Sequence, residues 1–175
     1  LVSSKRIFWL FFIGFIIIDQ AVKYWSRSNF SIGQSIVGIR GLFDLTLTYN
    51  EGIAFGKLQG LGVYLSPIAI IIAVMAGRHA YKHPEESKWV HSAMGLLASG
   101  ALGNLIDRVW LGKVTDMVQV TFVNFPVFNV ADACISVAAV ILCVRWTFES
   151  LKKPVPVEES QEQVQNSSDS AINGV

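Results

Sequence analysis

SGALGNLIDRVWLGKVTDMVQVTFVNFPVFNVAD, residues 99–132, decides how the rest of the chain is read. Three motifs within it, SGALGNLIDR at 99–108, GKVTDMV at 112–118 and FNVAD at 128–132, carry Asn104, Asp107, Arg108, Asp116, Asn129 and Asp132 inside or beside apolar sequence. Ionisable groups at bilayer depth are costly, so they are rare and mark function by default. The stretch therefore predicts a membrane protein whose polar residues do work.

Composition agrees. Of 175 residues, 52% are hydrophobic and 15% charged, and mean hydropathy is positive, which excludes an ordinary soluble domain. Four apolar runs, about 7–25, 58–77, 89–110 and 130–148, each approach the ~20 residues that a spanning helix needs. The first follows Lys5 and Arg6 as a signal peptide would. Asp19, Gln20 and Lys23 stand where a small-residue cleavage site belongs, so it is read as a retained anchor.

Lys5, Arg6, Arg78, Lys82, Lys88, Arg145, Lys152 and Lys153 fall on one side of these runs, which the positive-inside rule makes cytoplasmic. Both termini then face the cytoplasm. The opposite side holds the longer loops. There Leu45, Leu47 and Tyr49 alternate with Thr46 and Thr48, and Val118, Val120 and Phe122 alternate with Gln119 and Thr121, the period of half-buried strands; NEG at 50–52 is a turn signal. The fold expected is an all-α membrane protein of four transmembrane helices, with a small β-sheet element on the outer membrane surface.

Residues 1–153 form one four-span domain on this reading. Residues 154–175 contain four acids and no lysine or arginine, which leaves the rest of the chain at +5 from a total of +1. That segment lacks apolar period and is expected to be a disordered cytoplasmic tail. No basic cluster of nucleic-acid type stands out. Cys134 and Cys143, nine residues apart in one helix, would lie roughly 13 Å apart along its axis, too far for a disulfide.

Depth joins the motifs. At about 1.5 Å per residue, Asp19 and Lys23 lie roughly 18 and 24 Å from the inner end of the first run, and Asn104 and Asp107 roughly 22 and 27 Å along the third. Asp132 falls in the first turn of the fourth, behind Asn129 as its N-cap. Asn50 and Asp116 sit in outer segments, so the unusual polar groups converge on one layer near the outer interface. Asp19 and Lys23 are spaced i, i+4, as are Asn104 and Arg108, and Gly95, Ser99 and Gly103 form a small-residue stripe that admits another helix. All three histidines lie at the other side, which argues against a histidine metal site near the acids.

Asp19, Lys23, Asp107 and Arg108 suit a structural ion network. Asp116 and Asp132 lack a basic partner at helical spacing. Two carboxylates sharing a site do not readily both ionise, so one keeps a proton while the other stays charged. Such a pair suits acid–base catalysis; on the residues alone, a proton relay, a cation site or structural pairing remain open. A small transporter would spread polar residues through the full membrane depth, whereas IFWLFFIGF (7–15) and IAIIIAVMAG (68–77) are nearly pure hydrocarbon.

In order, DQAVK (19–23), NEGIAFG (50–56), SGALGNLIDR (99–108), GKVTD (112–116) and FNVAD (128–132) resemble the signal peptidase II family of bacterial membrane aspartic proteases. The resemblance covers about residues 5–150. It implies Asp116 and Asp132 as the catalytic dyad, with Asp19, Lys23, Asn50, Gly52, Asn104, Asp107, Arg108, Asn129 and Ala131 shaping or supporting the site. It implies cleavage just before the diacylglyceryl-cysteine of a prolipoprotein at the outer face of the inner membrane, by a monomer, with membrane lipid as surroundings and no metal or organic cofactor. Ile53, Ser99, Thr115 and Met117 depart mildly from the family pattern.

Overall fold

The computed structural model describes residues 4–52 and 66–152. In chain order these form α1 (Ser4–Asn29), β1 (Ser35–Ile39), β2 (Phe43–Asn50), α2 (Ser66–Lys82), α3 (Lys88–Leu111), β3 (Val114–Val120) and α4 (Val130–Lys152). The protein is thus mostly helical with one small antiparallel sheet. The start of the second apolar run and the tail expected after Pro154 lie outside the described residues.

The chain divides into two compact units, Leu1–Cys143 and Val144–Val175. In the second, the described residues are the last turns of α4, where Arg145 and Glu149 pair at 2.5 Å across one helical turn.

Among the described residues, α1 and α4 are the helices long and apolar enough to cross a bilayer by themselves. α3 is 24 residues long, but His91, Ser99, Asn104 and Asp107 on it are buried, because it packs against both α1 and α2. The core around it is built mainly from small side chains, among them Ala76, Ala80, Ala93, Ala98, Cys134 and Ala138, with Phe8 and Leu142 filling the larger gaps. Large apolar side chains such as Leu10, Ile17, Val74 and Val140 point outward. Small and polar inside with apolar outside is the arrangement of a bundle that faces lipid.

Glycines set the helix spacing. A Cβ on Gly95 would stand 2.7 Å from the Phe8 carbonyl, where α1 crosses α3. At Gly100 it would meet the Ala131 carbonyl of α4, and at Gly103 it would stand 2.6 Å from the Asp19 carboxylate. Gly95 and Gly103 of the stripe thus admit α1, and Gly100, outside the stripe, admits α4. Ser99 is buried and donates its hydroxyl to the Leu96 carbonyl at 2.8 Å.

α3 ends on Gly112, whose left-handed backbone (φ 73°) lets its N–H reach the Arg108 carbonyl at 3.1 Å and turns the chain sharply into β3. The sheet order is β1-β2-β3, antiparallel throughout, with an irregularity between Leu45 and Thr48. Thr48 therefore faces Asp116, and Asn50 faces Val114. Asp116 lies within a strand that starts earlier than the alternation after it suggests, and Phe122 falls beyond the strand. Val118 and Phe128 exchange backbone hydrogen bonds of 2.8 and 3.0 Å, which fold the chain back so that residues 129–132 arrive beside Asp116. β1 has no counterpart in the sequence reading. It forms because β2 offers it a free edge, with Ser35 opposite Thr46 and Ile36 opposite Leu45.

Candidate active site

Asn129 is the residue through which the site is assembled. Its side-chain oxygen accepts from the Asp132 backbone N–H at 3.0 Å, while Asp132 Oδ2 accepts from the Asn129 N–H at 3.3 Å. This is a reciprocal cap of α4, with asparagine at the cap and an acid three residues on. It fixes the Asp132 carboxylate at the helix start. The Asn129 amide nitrogen is then free to donate to Asp116 Oδ1 at 2.6 Å and to Asn104 Oδ1 at 3.0 Å.

Asn104 carries the pattern to the other acid. Lys23 Nζ donates to Asn104 Oδ1 at 3.0 Å; an ammonium can only donate, so the amide presents its oxygen to Lys23 and its NH2 to Asp132. That NH2 reaches Asp132 Oδ1 at 2.8 Å. Both oxygens of Asp132 therefore accept hydrogen bonds, while Asp116 accepts from Asn129 on Oδ1 and has Asn50 as a second side-chain hydrogen-bonding neighbour.

Beneath the two acids lies an ionic layer. Lys23, fully buried, sits 2.9 Å from Asp19 and 3.7 Å from Asp107. Asp19 Oδ1 accepts from the Ala131 N–H at 2.9 Å, tying α1 to the first turn of α4, and Gln20 donates to both Asp19 and the Gly103 carbonyl. Asp107 Oδ2 accepts from the Thr115 N–H at 2.8 Å, tying α3 to β3. Each acid of this layer therefore holds in place the element that carries a dyad candidate.

The network differs in one member from the sequence reading. Arg27 fills the place expected for Arg108: its guanidinium stands 3.6 Å from Asp107 and donates to the Thr115 hydroxyl at 2.9 Å. Arg108 forms no ion pair among the described residues; it reaches the Asn104 carbonyl at 3.5 Å, and its Nε is buried without a partner. Gln20 and Arg27 stand one residue after Asp19 and four after Lys23 on α1, and the sequence reading placed neither in the network.

Asp116 and Asp132 open into one cavity of about 580 Å³, which Asn50 also lines. Asn50 accepts from the Gly52 N–H at 3.0 Å, a side-chain turn that realises the NEG signal. Apart from Ser136 the remaining wall is apolar, from Phe125, Pro126, Val127 and Phe128 on one side and Ala133, Ile135 and Val137 of α4 on the other. Burial, and after it the neighbouring Asp132 charge, push the Asp116 carboxyl up to about 7, against the pull of the Asn129 hydrogen bond and of Lys23. Among the described residues no group of three or more His, Cys, Asp or Glu side chains is disposed to hold a metal ion.

Comparison with known proteins matches residues 11–148 to the family model described as signal peptidase (SPase) II. A lipoprotein signal peptidase of Streptococcus thermophilus is 38% identical over 134 residues, covering 76% of this chain and 88% of that protein. One from Nostoc punctiforme is 38% identical over 142 residues, covering 81% and 89%. A bacterial membrane enzyme solved by the in meso method at 2.3 Å superposes with a TM-score of 0.78 at 30% identity, over 86% of this chain and 94% of that one. A family match over residues 11–148, with relatives 38% identical over most of the chain, makes the chain a member of the signal peptidase II family of membrane peptidases.

Proposed function

We propose that this protein is an aspartic endopeptidase that removes the signal peptide of lipid-modified prolipoproteins by cutting just before the diacylglyceryl-cysteine, with Asp116 and Asp132 as the catalytic pair. The observation that carries the reading is that two carboxylates tied to one asparagine, Asn129, open into one largely apolar cavity. A peptide bond flanked by an apolar helix and an acyl-bearing residue matches such a cavity in chemistry.

The proton assignment follows from donors and acceptors. Asp132 accepts at both oxygens, which suits the ionised form, whereas burial and the Asp132 charge hold a proton on Asp116 near neutral pH. In the reaction, Asp132 takes a proton from water as that water attacks the scissile carbonyl carbon, and Asp116 gives its proton to the carbonyl oxygen. The tetrahedral diol then collapses. Asp132 passes its proton to the leaving nitrogen, the C–N bond breaks, and a diol hydroxyl returns a proton to Asp116 as the new carboxyl forms.

Asp19, Lys23, Asn104, Asp107, Asn129 and Ala131 support this pair, Asn50 and Gly52 shape the cavity rim, and Arg108, with an unpartnered buried donor, offers positive charge to the substrate's carbonyl groups. Four membrane-spanning helices with both termini in the cytoplasm set the site near the outer face of the inner membrane, and the sheet rests on the outer membrane surface. The exposed apolar side chains of α1, α2 and α4 and the charge asymmetry of the loops support this topology.

The test is to incubate the purified protein with a lipid-modified prolipoprotein and with its unlipidated form. The reading expects release of the signal peptide from the lipidated form only. Failure to cleave the lipidated form would refute it. A reporter near Gly38 should lie outside the membrane and one after Lys153 in the cytoplasm; the opposite pattern would overturn the orientation.

A further inference from the structure

A second cavity, of about 350 Å³, runs along α4 away from the dyad. Phe11 and Phe15 of α1 wall it on one side, and Ala133, Val137 and Ile141 of α4 on the other, with Ser92 of α3 between them. Ala133 and Val137 also line the cavity that holds Asp116 and Asp132, so the two spaces share a wall. Residues 133, 137 and 141 recur every four, which puts them on one face of α4. That face begins one residue after Asp132.

We propose that this groove seats the apolar helix of the signal peptide while the dyad cuts at its outer end. The inference rests on the function proposed above. The acyl chains belong to the residue on the far side of the cleaved bond and hang into the outer leaflet. The segment before that bond has to run toward the inner face, as the groove does. From Ala133 to Ile141 the groove follows α4 for about 12 Å, within the roughly 10–22 Å that a helical signal core of about 7–15 residues spans. Ala133 and Ser92 are small, which allows close approach of a helix backbone in lipid. Ser92 satisfies its own hydroxyl on the Lys88 carbonyl at 2.9 Å, so it presents no unpaired donor to an apolar guest.

The test fills the groove at Ser92, far from the acids. Ser92→Trp and Ser92→Ala are compared with the unaltered enzyme on two lipidated substrates: a complete prolipoprotein, and a short lipopeptide that begins a few residues before the cleaved bond. Ser92→Trp should raise KM about tenfold for the complete substrate, the loss of roughly one methylene-rich contact patch. It should leave the short substrate unchanged, and Ser92→Ala should leave both unchanged. An equal effect on both substrates would assign the groove to acyl chains, and no effect on either would make it a bystander filled by bilayer lipid; each overturns the proposal. If Ser92→Trp fails to fold, a photoreactive side chain at the exposed Trp89, which also lines the groove, takes its place in the Asp132→Asn enzyme. Crosslinks to the signal helix support the proposal, and crosslinks to lipid alone overturn it. An unaltered enzyme that cleaves neither substrate would refute the proposed reaction itself.

Discussion

Gly103→Ala adds one methyl group at the point where α1, α3 and α4 meet. The new Cβ would stand 2.6 Å from Asp19 Oδ2 and 3.2 Å from the Ala131 Cβ. The carboxylate is not a flexible end that can swing away. Its Oδ1 holds the Ala131 N–H at 2.9 Å, and its Oδ2 takes Lys23 at 2.9 Å and Gln20 at 3.1 Å. Relief requires either parting α3 from α1 or releasing Asp19. Overpacking and one broken charge-assisted hydrogen bond together cost about 3–5 kcal/mol. In a detergent-solubilised enzyme of this size that lowers Tm by about 10 °C. Because Ala131 is next to Asp132, cleavage should fall at least about a hundredfold at temperatures where the variant is still folded. Gly14→Ala is the control: no atom lies within 4 Å of its added Cβ, and helix propensity favours it by up to about 1 kcal/mol. Equal stability and activity in the two variants would refute the packing argument.

Three further outcomes follow from the same contacts. Lys23→Met leaves Asp19 and Asp107 buried without their shared cation and should cost about 3–5 kcal/mol, with part recovered in Lys23→Met/Asp19→Asn; thermal unfolding in detergent measures both, and an additive double variant would contradict the coupling. Asn129→Ala should lower stability by only about 1–2 kcal/mol as a lost cap but reduce cleavage at least about a hundredfold, since it frees both aspartates; parallel losses would make Asn129 merely structural. Asp116 holds its proton to about 7 in the folded protein against an ordinary value of 3.8, so the unfolded chain releases that proton first. Its contribution to stability is therefore full below about pH 4, is lost as pH rises to about 7, and is flat above; pH-dependent unfolding should show this slope, and Asp116→Asn should remove it.

What the sequence disclosed, and what it withheld, divides along the range of the interactions. Helical spacing and apolar runs are local, so the helices, the stripe through Gly95 and Gly103, and Asn129 as the cap before Asp132 were legible. The convergence of Asp19, Lys23, Asn104 and Asp107 was legible too, because equal rise per residue turns position along a span into depth. β1 was not, since SIVGI at 35–39 lacks the alternation that marks a half-buried strand, and its side chains are exposed. The exchange of Arg27 for Arg108 in the ion layer was also hidden. Asp107 lies one residue before Arg108, which on a helix points elsewhere, and only the crossing of α1 past α3 brings Arg27 to it. Likewise the Asn104 amide orientation follows from Lys23 and Asp132 on two other helices, which no spacing within α3 records.

The central claim is that Asp116 and Asp132 together perform the hydrolysis. The direct measurement is single-turnover cleavage of a lipid-modified prolipoprotein by purified Asp116→Asn and Asp132→Asn enzymes, each first shown by thermal unfolding to be folded. Each amide keeps one acceptor oxygen, which is enough for the Asn129 bond to residue 116 but for only one of the two bonds that Asp132 accepts, and neither amide can transfer a proton in its turn. Each substitution should lower the cleavage rate by at least about a thousandfold. Cleavage by either folded variant within tenfold of the unaltered enzyme would contradict the account.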